Sequence, residues 1–178
     1  MLKFNTLWKG KYLSVVSPIQ DSYEAIHEND CIGVVPLIKI NNNLYACIRK
    51  EYNPAYSIKD KTGKKLYYTI ITGTVKNKES YEKCMIRELK EEAGIIAKKY
   101  NILYERKKIP INKASDVRMT YYIIHIQEFE KEIPKGDGTK NEKLSKSFFI
   151  NINKLSKLIT KNNCDFLLLS SYYILKNN

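Results

Sequence analysis

The sequence predicts an α/β fold in which a mixed sheet is flanked by helices. Strand-like apolar runs outnumber helical ones before residue 80, an amphipathic helix follows, and two helices close the chain. This order is typical of layered α/β architecture, because the faces of a sheet have to be covered by other elements. With 178 residues, the chain is expected to form a single domain over 1–178, with about 1–30 as an N-terminal strand or extension.

The elements before residue 80 are predicted from apolar runs bounded by turn-forming residues. Four strands are expected here, over 11–17, 31–40, 44–48 and 66–71. Three asparagines over 41–43 favour a turn, so the second and third strands should form a hairpin. The segment 53–65 contains Pro54, Gly63 and several lysines, and is expected to be a loop.

A central helix is predicted over 80–93. Its apolar residues recur at three- and four-residue intervals, as an amphipathic helix requires: Tyr81, Cys84, Met85, Leu89 and Ala93. Gly94 should end this helix, because glycine enters the left-handed conformation without steric cost.

Three further strands and two helices are expected after Gly94. The strands are predicted over 101–108, 119–126 and 147–150, and the helices over 152–160 and 164–175. Two polar loops separate the strands, over 110–118 and 131–145. The second contains Pro134 and two glycines, so it is the best candidate for a mobile loop.

The central helix carries a dense group of carboxylates. Glu88 and Glu92 lie one turn apart on one face, with Glu91 beside them. Three carboxylates this close repel one another unless a cation neutralises them, and Mg²⁺ prefers oxygen ligands of this kind. Arg87 can orient a neighbouring carboxylate, and Glu79, which precedes the helix, is its expected partner.

Residues 73–95 fit the pattern G-x5-E-x7-R-E-U-x-E-E-x-G-U at every fixed position, where U is a bulky apolar residue. This pattern is the Nudix box, so the chain resembles the Nudix hydrolase family. The resemblance implies an α/β/α sandwich with a mixed sheet. It also implies hydrolysis of a nucleoside diphosphate linked to another moiety, with Mg²⁺ or Mn²⁺ as the cofactor.

The resemblance assigns metal-binding roles to four residues. Glu88 and Glu92 match the direct metal ligands of the box, and Glu91 matches a supporting or bridging ligand. The main-chain carbonyl of Thr72, just before the box glycine, often completes such a site in the family.

Catalytic roles follow by the same resemblance. Arg87 and Glu79 match the orienting pair, and Glu91 counts among the catalytic carboxylates. A loop acid beyond the box commonly acts as the base in members that cleave ADP-sugars. Glu142 is the candidate, with Asp137 and Asp116 as alternatives.

The substrate is expected to be a nucleotide-derived small molecule, with ADP-ribose or another ADP-sugar as the first choice. The segment 49–54 stands where the ADP-ribose branch carries a substrate-holding R-Q-Y-R-P-like sequence, which makes Arg49 and Tyr52 candidate binding residues. Tyr56 is a candidate for stacking on a base. Pro110 lies sixteen residues after Gly94, a spacing associated with ADP-ribose cleavage.

Alternatives stay open from the sequence. Nucleoside triphosphates, dinucleoside polyphosphates and capped RNA are competing substrates, and a non-catalytic nucleotide- or RNA-binding module is the competing class. The segment T-I-I-T-G before the box departs from the E-L-P-A-G of the ADP-ribose branch, with Thr69 in place of glutamate and Ile71 in place of proline.

The formal net charge of +12 gives only weak support to a nucleic-acid partner. Of the 31 basic residues only four are arginine, and the lysines are spread along the whole chain, which indicates an AT-rich coding bias. The sequence lacks the basic stripe interleaved with aromatics that nucleic-acid binders usually carry. A positive surface still attracts an anionic substrate.

The four cysteines have no C-x-x-C spacing and are expected to be reduced core residues of a cytoplasmic protein. No apolar run reaches membrane-spanning length, so no membrane association is expected. Relatives that cleave ADP-sugars are often dimers, and the resemblance therefore allows a homodimer.

Overall fold

The computed structural model describes residues 4–18, 23–53, 66–136, 142–161 and 163–177. Within these ranges the chain forms ten strands and three α-helices. The strands are β1 (Phe4–Lys9), β2 (Ser14–Pro18), β3 (Ala25–His27), β4 (Cys31–Ile40), β5 (Asn43–Tyr52), β6 (Leu66–Thr69), β7 (Ile71–Thr74), β8 (Ile95–Pro110), β9 (Arg118–Lys131) and β10 (Lys146–Asn151). The helices are α1 (Tyr81–Ala93), α2 (Ile152–Lys161) and α3 (Phe166–Asn177). A 3₁₀ helix over Glu142–Leu144 precedes β10.

Seven strands form the main sheet, in the order β10-β5-β4-β9-β8, with β6 beside β5 and β7 beside β4. The pair β4 and β9 is parallel. The other described pairs of this sheet are antiparallel. The predicted mixed sheet is therefore confirmed.

Helices cover both faces of this sheet. Met85 and Leu89 of α1 pack in a core with Val34 of β4 on one face. Leu155 of α2 and Leu168 of α3 pack on the other face, in a core that includes Val35 of β4. Adjacent residues of one strand enter different cores because successive side chains point to opposite sides of a sheet. The α/β/α arrangement follows directly.

The caps of α1 fix its limits. Ser80 accepts a hydrogen bond from the Lys83 amide at 3.2 Å, which satisfies one of the unpaired donors of the first turn. Gly94 takes a left-handed conformation with φ 65° and donates its amide to Lys90 O at 3.0 Å. The predicted helix over 80–93 agrees with the observed one, in which Ser80 is the cap.

Strand β8 starts at Ile95, directly after Gly94, and not at residue 101 as predicted. The left-handed Gly94 turns the chain, and the buried Ile95 begins the pairing with β9 at once. Among the described strands, β8 is an edge strand that pairs with β9 alone. Its Lys98 and Lys99 are exposed, so the apolar pattern does not indicate a strand at this point.

The predicted single strand over 66–71 is also wrong, because it consists of two strands that pair with different neighbours. Strand β6 pairs with β5, and β7 pairs with β4. The break falls at Ile70, which is fully buried in the core of α2 and α3, whereas Ile71 is buried in the core of α1. An unbroken apolar run gives no sign of this change of partner.

The first three strands form a separate antiparallel sheet in the order β1-β2-β3. Only β2 overlaps the strand predicted over 11–17. Strand β1 was not predicted, since Phe4, Leu7 and Trp8 are not spaced with period two and are exposed. Hydrogen bonds from Ile26 N to Ala114 O at 2.7 Å and from Asp116 N to Ile26 O at 3.0 Å join this sheet to the segment before β9.

No helix in the described ranges is long and apolar enough to cross a membrane.

Candidate active site

Arg87 stands at the centre of the carboxylate group on α1. Its Nε and Nη2 donate to the two oxygens of Glu79 at 2.8 and 3.0 Å, which is a bidentate pair. Its Nη1 donates to Glu88 Oε1 at 2.5 Å and to Glu91 Oε2 at 2.9 Å. Nη2 also donates to the carbonyl of Thr74 at 3.0 Å, which ties α1 to the end of β7. One guanidinium thus gathers three carboxylates.

The pairing of Arg87 with Glu79 shifts both pKa values. Hydrogen bonds from Arg87 lower the pKa of Glu79 to about 2, and the Lys76 amide adds a further bond at 2.9 Å. The same bonds raise the pKa of Arg87 above its usual value. The pair therefore stays ionised at every physiological pH.

Glu88 is the most buried carboxylate of this group, with 8% of its surface exposed. Burial raises its pKa, and Arg87 opposes that change. The backbone of Gly73 on β7 lies directly against it, so a Cβ at Gly73 would collide with the Glu88 carboxyl group. The glycine of the box is therefore needed for close approach of β7 to α1.

Glu92 is positioned by residues of β5 and β10. Its Oε1 lies 3.4 Å from Nη2 of Arg49, and Arg49 is only 4% exposed. Arg49 Nη1 and Ser147 Oγ donate to the Glu92 carbonyl at 3.4 and 2.8 Å. The last turn of α1 is therefore fixed by two strands of the sheet.

A cavity of about 720 Å³ opens beside these residues. Glu91, Glu92 and Arg49 form part of its wall, and Phe148 and Phe149 of β10 supply an apolar part. Pockets of several hundred cubic ångströms are the usual size of small-molecule sites. The cavity therefore has room for a ligand next to the carboxylates.

The donor atoms fit a hard divalent cation, because carboxylate and carbonyl oxygens are the ligands that such cations prefer. Arg87 engages one oxygen each of Glu88 and Glu91. Thr72 lies on β7 directly before Gly73, opposite Gly33 of β4. Among the described residues, no three His, Cys, Asp or Glu side chains are already grouped as ligands. The fit rests on the chemistry of the donors and on the close approach of Gly73 to Glu88.

Several predicted substrate and base residues are not gathered at this cavity. Pro110, at the end of β8, lines a second cavity of about 450 Å³ with Tyr104 and Tyr121. The Tyr52 amide donates to Ser145 Oγ at 3.1 Å, which places its backbone beside a residue of the cavity wall.

Of the three candidate bases, Asp116 lies within the described part of the chain. Glu142 begins the 3₁₀ helix, but its side chain lies outside the described part of the chain, as do Tyr56 and Asp137. Asp116 contacts His27 Nδ1 at 2.5 Å and accepts from the Glu28 amide at 3.2 Å. Its two oxygens are therefore engaged by β3 and the residue after it.

Sequence reasoning missed Ser147 as a support for Glu92 and missed the pairing of Arg49 with Glu92. Ser147 lies opposite Arg49 in the β10–β5 pair. Both contacts depend on the register of two strands far apart in sequence, and the local sequence contains no signal for that register.

Comparisons with protein families and with solved structures both gave matches. The NUDIX domain family model matches residues 42–168, which is more than half of the chain. The crystal structure of an ADP compounds hydrolase superposes with a TM-score of 0.66 and 17% sequence identity, covering 99% of this chain and 91% of that one. The superposition shows the shared fold. A search of curated proteins found no match.

The matched residues include the complete box from Gly73 to Ile95. In the structure, three carboxylates of the box, Glu79, Glu88 and Glu91, contact Arg87. The chain therefore belongs to the NUDIX domain family.

Proposed function

We propose that the protein hydrolyses the diphosphate linkage of a nucleoside diphosphate derivative, with ADP-ribose or another ADP-sugar as the first substrate. The observation that carries this proposal is the Arg87-centred carboxylate group beside an open cavity whose wall contains Glu91 and Glu92. The structural neighbour acts on ADP compounds, which supports the choice of nucleotide.

Glu88, Glu92, Glu91 and the Thr72 carbonyl would hold the divalent cation, Mg²⁺ or Mn²⁺. When bound, such a cation activates water and neutralises phosphate charge. Arg87 keeps Glu88 and Glu91 oriented through its bonds at 2.5 and 2.9 Å.

Hydrolysis adds water across the bridging P–O–P group. The water oxygen bonds to one phosphorus, the bond from that phosphorus to the bridging oxygen breaks, and two phosphate monoesters are released. A base has to accept the water proton, and we assign this role to Glu142, with Asp137 and Asp116 as alternatives. Glu142→Gln should then depress the rate with little change in metal affinity, and an unaltered rate would transfer the role to another acid.

A metal-supplemented hydrolysis screen tests the proposal. Its substrates are ADP-ribose, other sugar nucleotides, nucleoside triphosphates, diadenosine polyphosphates and capped RNA, each with Mg²⁺ and with Mn²⁺. The expected result is release of AMP from an ADP-sugar, loss of activity with a chelator, and recovery on addition of metal. Nucleotide binding without turnover of any substrate would contradict the proposal and favour a non-catalytic module.

The four cysteines are free thiols. Burial raises the pKa of Cys31 to about 11 and of Cys47 to about 12, so these thiols stay protonated and unreactive. Free, unreactive thiols support the proposed cytoplasmic location.

A further inference from the structure

Four lysines lie around the cavity next to Glu91 and Glu92. They are Lys131, Lys135, Lys143 and Lys146. They come from three places in the chain: the end of β9 and the segment after it, the 3₁₀ helix, and the start of β10. A coding bias raises the number of lysines but does not direct them to one cavity. Their common position therefore indicates an anionic ligand.

Backbone bonds fix the segments that carry two of these lysines. The Gly136 amide donates to Glu91 O at 3.0 Å, and the Glu132 amide donates to Gly94 O at 2.9 Å. These bonds hold the segment of Lys135 against the end of α1. Lys131 Nζ lies 5.8 Å from the ring centroid of Phe149, which is within range of a cation–π contact.

Strand pairing positions a third lysine. Lys146 lies opposite Lys50 in the β10–β5 pair, one residue before Ser147, whose hydroxyl donates to Glu92 O at 2.8 Å. The contacts that fix the last turn of α1 therefore also fix the backbone of Lys146 in space.

The four cavity lysines have no ion-pair partner among the described residues. Three other lysines in the described ranges form ion pairs: Lys90 with Glu132 at 3.8 Å, Lys98 with Glu130 at 3.3 Å and Lys107 with Glu105 at 3.3 Å. Within the described ranges, none of the four cavity lysines has a carboxylate within ion-pair distance. Arg49, by contrast, is paired with Glu92 and Glu51.

An ADP-sugar with a neutral terminal sugar carries its negative charge on the diphosphate alone. That diphosphate carries two charges, which the cation and the box residues would engage when both are bound. A neutral terminal sugar would leave the lysines without an anionic partner.

We propose that the cavity selects a diphosphate substrate that carries at least one further phosphate, beyond the diphosphate that is cleaved. This inference rests on the proposed function and names the substrate class of the same site. The further phosphate has two sources, a phosphorylated terminal sugar or a longer polyphosphate chain, and both place an anion next to the lysines.

Matched substrate pairs test the inference. ADP-ribose is compared with ADP-ribose 1″-phosphate, and diadenosine diphosphate with diadenosine tetraphosphate. The expected result is a kcat/KM at least tenfold higher for the more phosphorylated member of one or both pairs, and the pair that responds identifies the source. Equal values within both pairs would overturn the inference.

A double variant, Lys143→Gln with Lys146→Gln, supplies the second test. Each lost charge contact should lower kcat/KM for the preferred substrate by about fivefold. The less phosphorylated member should change by less than about twofold. The matched control is Lys154→Gln with Lys157→Gln on α2, which covers the opposite face of the sheet. The role of these lysines would be refuted if the cavity variant kept the higher kcat/KM for the more phosphorylated substrate. It would also be refuted if the control variant lost that preference to the same extent.

Binding measurements separate this inference from the proposed function. Calorimetry with the same substrate pairs and the same variants reports selection even without turnover. Absence of hydrolysis with every metal and substrate would reject the hydrolase proposal alone. Equal affinities within both pairs, in wild type and lysine variant, would reject the selection of a further phosphate.

Discussion

At the scale of single residues, Arg87 determines how the box carboxylates are arranged. It binds Glu79 with two parallel hydrogen bonds and contacts Glu88 and Glu91 through one nitrogen. Lysine cannot reproduce this pattern, because its ammonium lacks the planar fork of donors. The arginine of the box therefore acts through the geometry of its neighbours.

The lowered pKa of Glu79 predicts a change in acid stability. Its pKa is about 2 in the folded protein, below the usual 4.5. A lowered carboxyl pKa adds stability that is complete above the unfolded value and is lost as pH falls from about 4.5 towards 2. Glu79→Gln should therefore lower Tm at pH 6, and the difference from wild type should shrink between pH 4.5 and 2.5.

Thermal unfolding of both proteins across this pH range is the measurement. If the Tm difference between wild type and Glu79→Gln stays constant down to pH 2.5, Arg87 does not stabilise ionised Glu79 in the folded state.

At the scale of elements, the site depends on how closely β7 approaches α1. Gly73 has no side chain, and the carboxyl group of Glu88 occupies the space that a Cβ would need. Gly94 then ends α1 with φ 65°, which lets β8 begin at once and lets Glu132 bond back to the helix end. Two glycines thus set the position of the helix between two strands.

Gly73→Ala is expected to disturb the site more than the fold. The new methyl group has to displace Glu88 or push β7 away, at a cost of roughly 1–3 kcal/mol, which is typical of overpacking. We expect activity to fall at least tenfold. We also expect Mg²⁺ to raise the Tm of the wild type, as binding to the folded state does, and not that of Gly73→Ala. The control is Thr74→Ala on the same strand, whose side chain is exposed. Unchanged activity and an unchanged Mg²⁺ response in Gly73→Ala would contradict the close-approach argument.

The elements that sequence predicted well are those with local signals. The limits of α1 follow from Ser80 and Gly94, and its role follows from glutamates spaced along one helix. Other features depend on long-range pairing, such as the change of strand at Ile70 and the contact of Arg49 with Glu92. A sequence pattern states which residues are apolar or charged, but not which distant strand lies beside them.

At the scale of the whole molecule, the sheet separates two hydrophobic cores. One core lies under α1, which carries the glutamates of the site, and the other lies on the opposite face. The core under α1 contains Leu89, which follows Glu88 in the helix. The core under α2 and α3 contains Leu155, on the opposite face. Both leucines are fully buried. Variants at the two positions therefore compare the effects of the two cores on stability and on activity at equal burial.

Leu155→Ala and Leu89→Ala should each cost about 2–5 kcal/mol of unfolding free energy, as buried leucines usually do. Leu155→Ala should keep kcat within about twofold of wild type at a temperature where it is folded. Leu89→Ala should lose activity as well, because relaxation of α1 moves the carboxylates. Denaturant unfolding and kcat at 20 °C measure both quantities. Equal activity losses in the two variants would show that the cores are not separable in this way.

Glu92→Gln tests whether the glutamates of α1 form a metal-dependent hydrolytic site. The measurement is kcat at saturating Mg²⁺ on the best substrate, with Tm as the check on folding and Glu82→Gln, on the same helix, as the control. We expect kcat to fall by orders of magnitude in Glu92→Gln, at nearly unchanged Tm, and activity to stay near normal in the control. Near-normal turnover by folded Glu92→Gln would contradict the metal-dependent site.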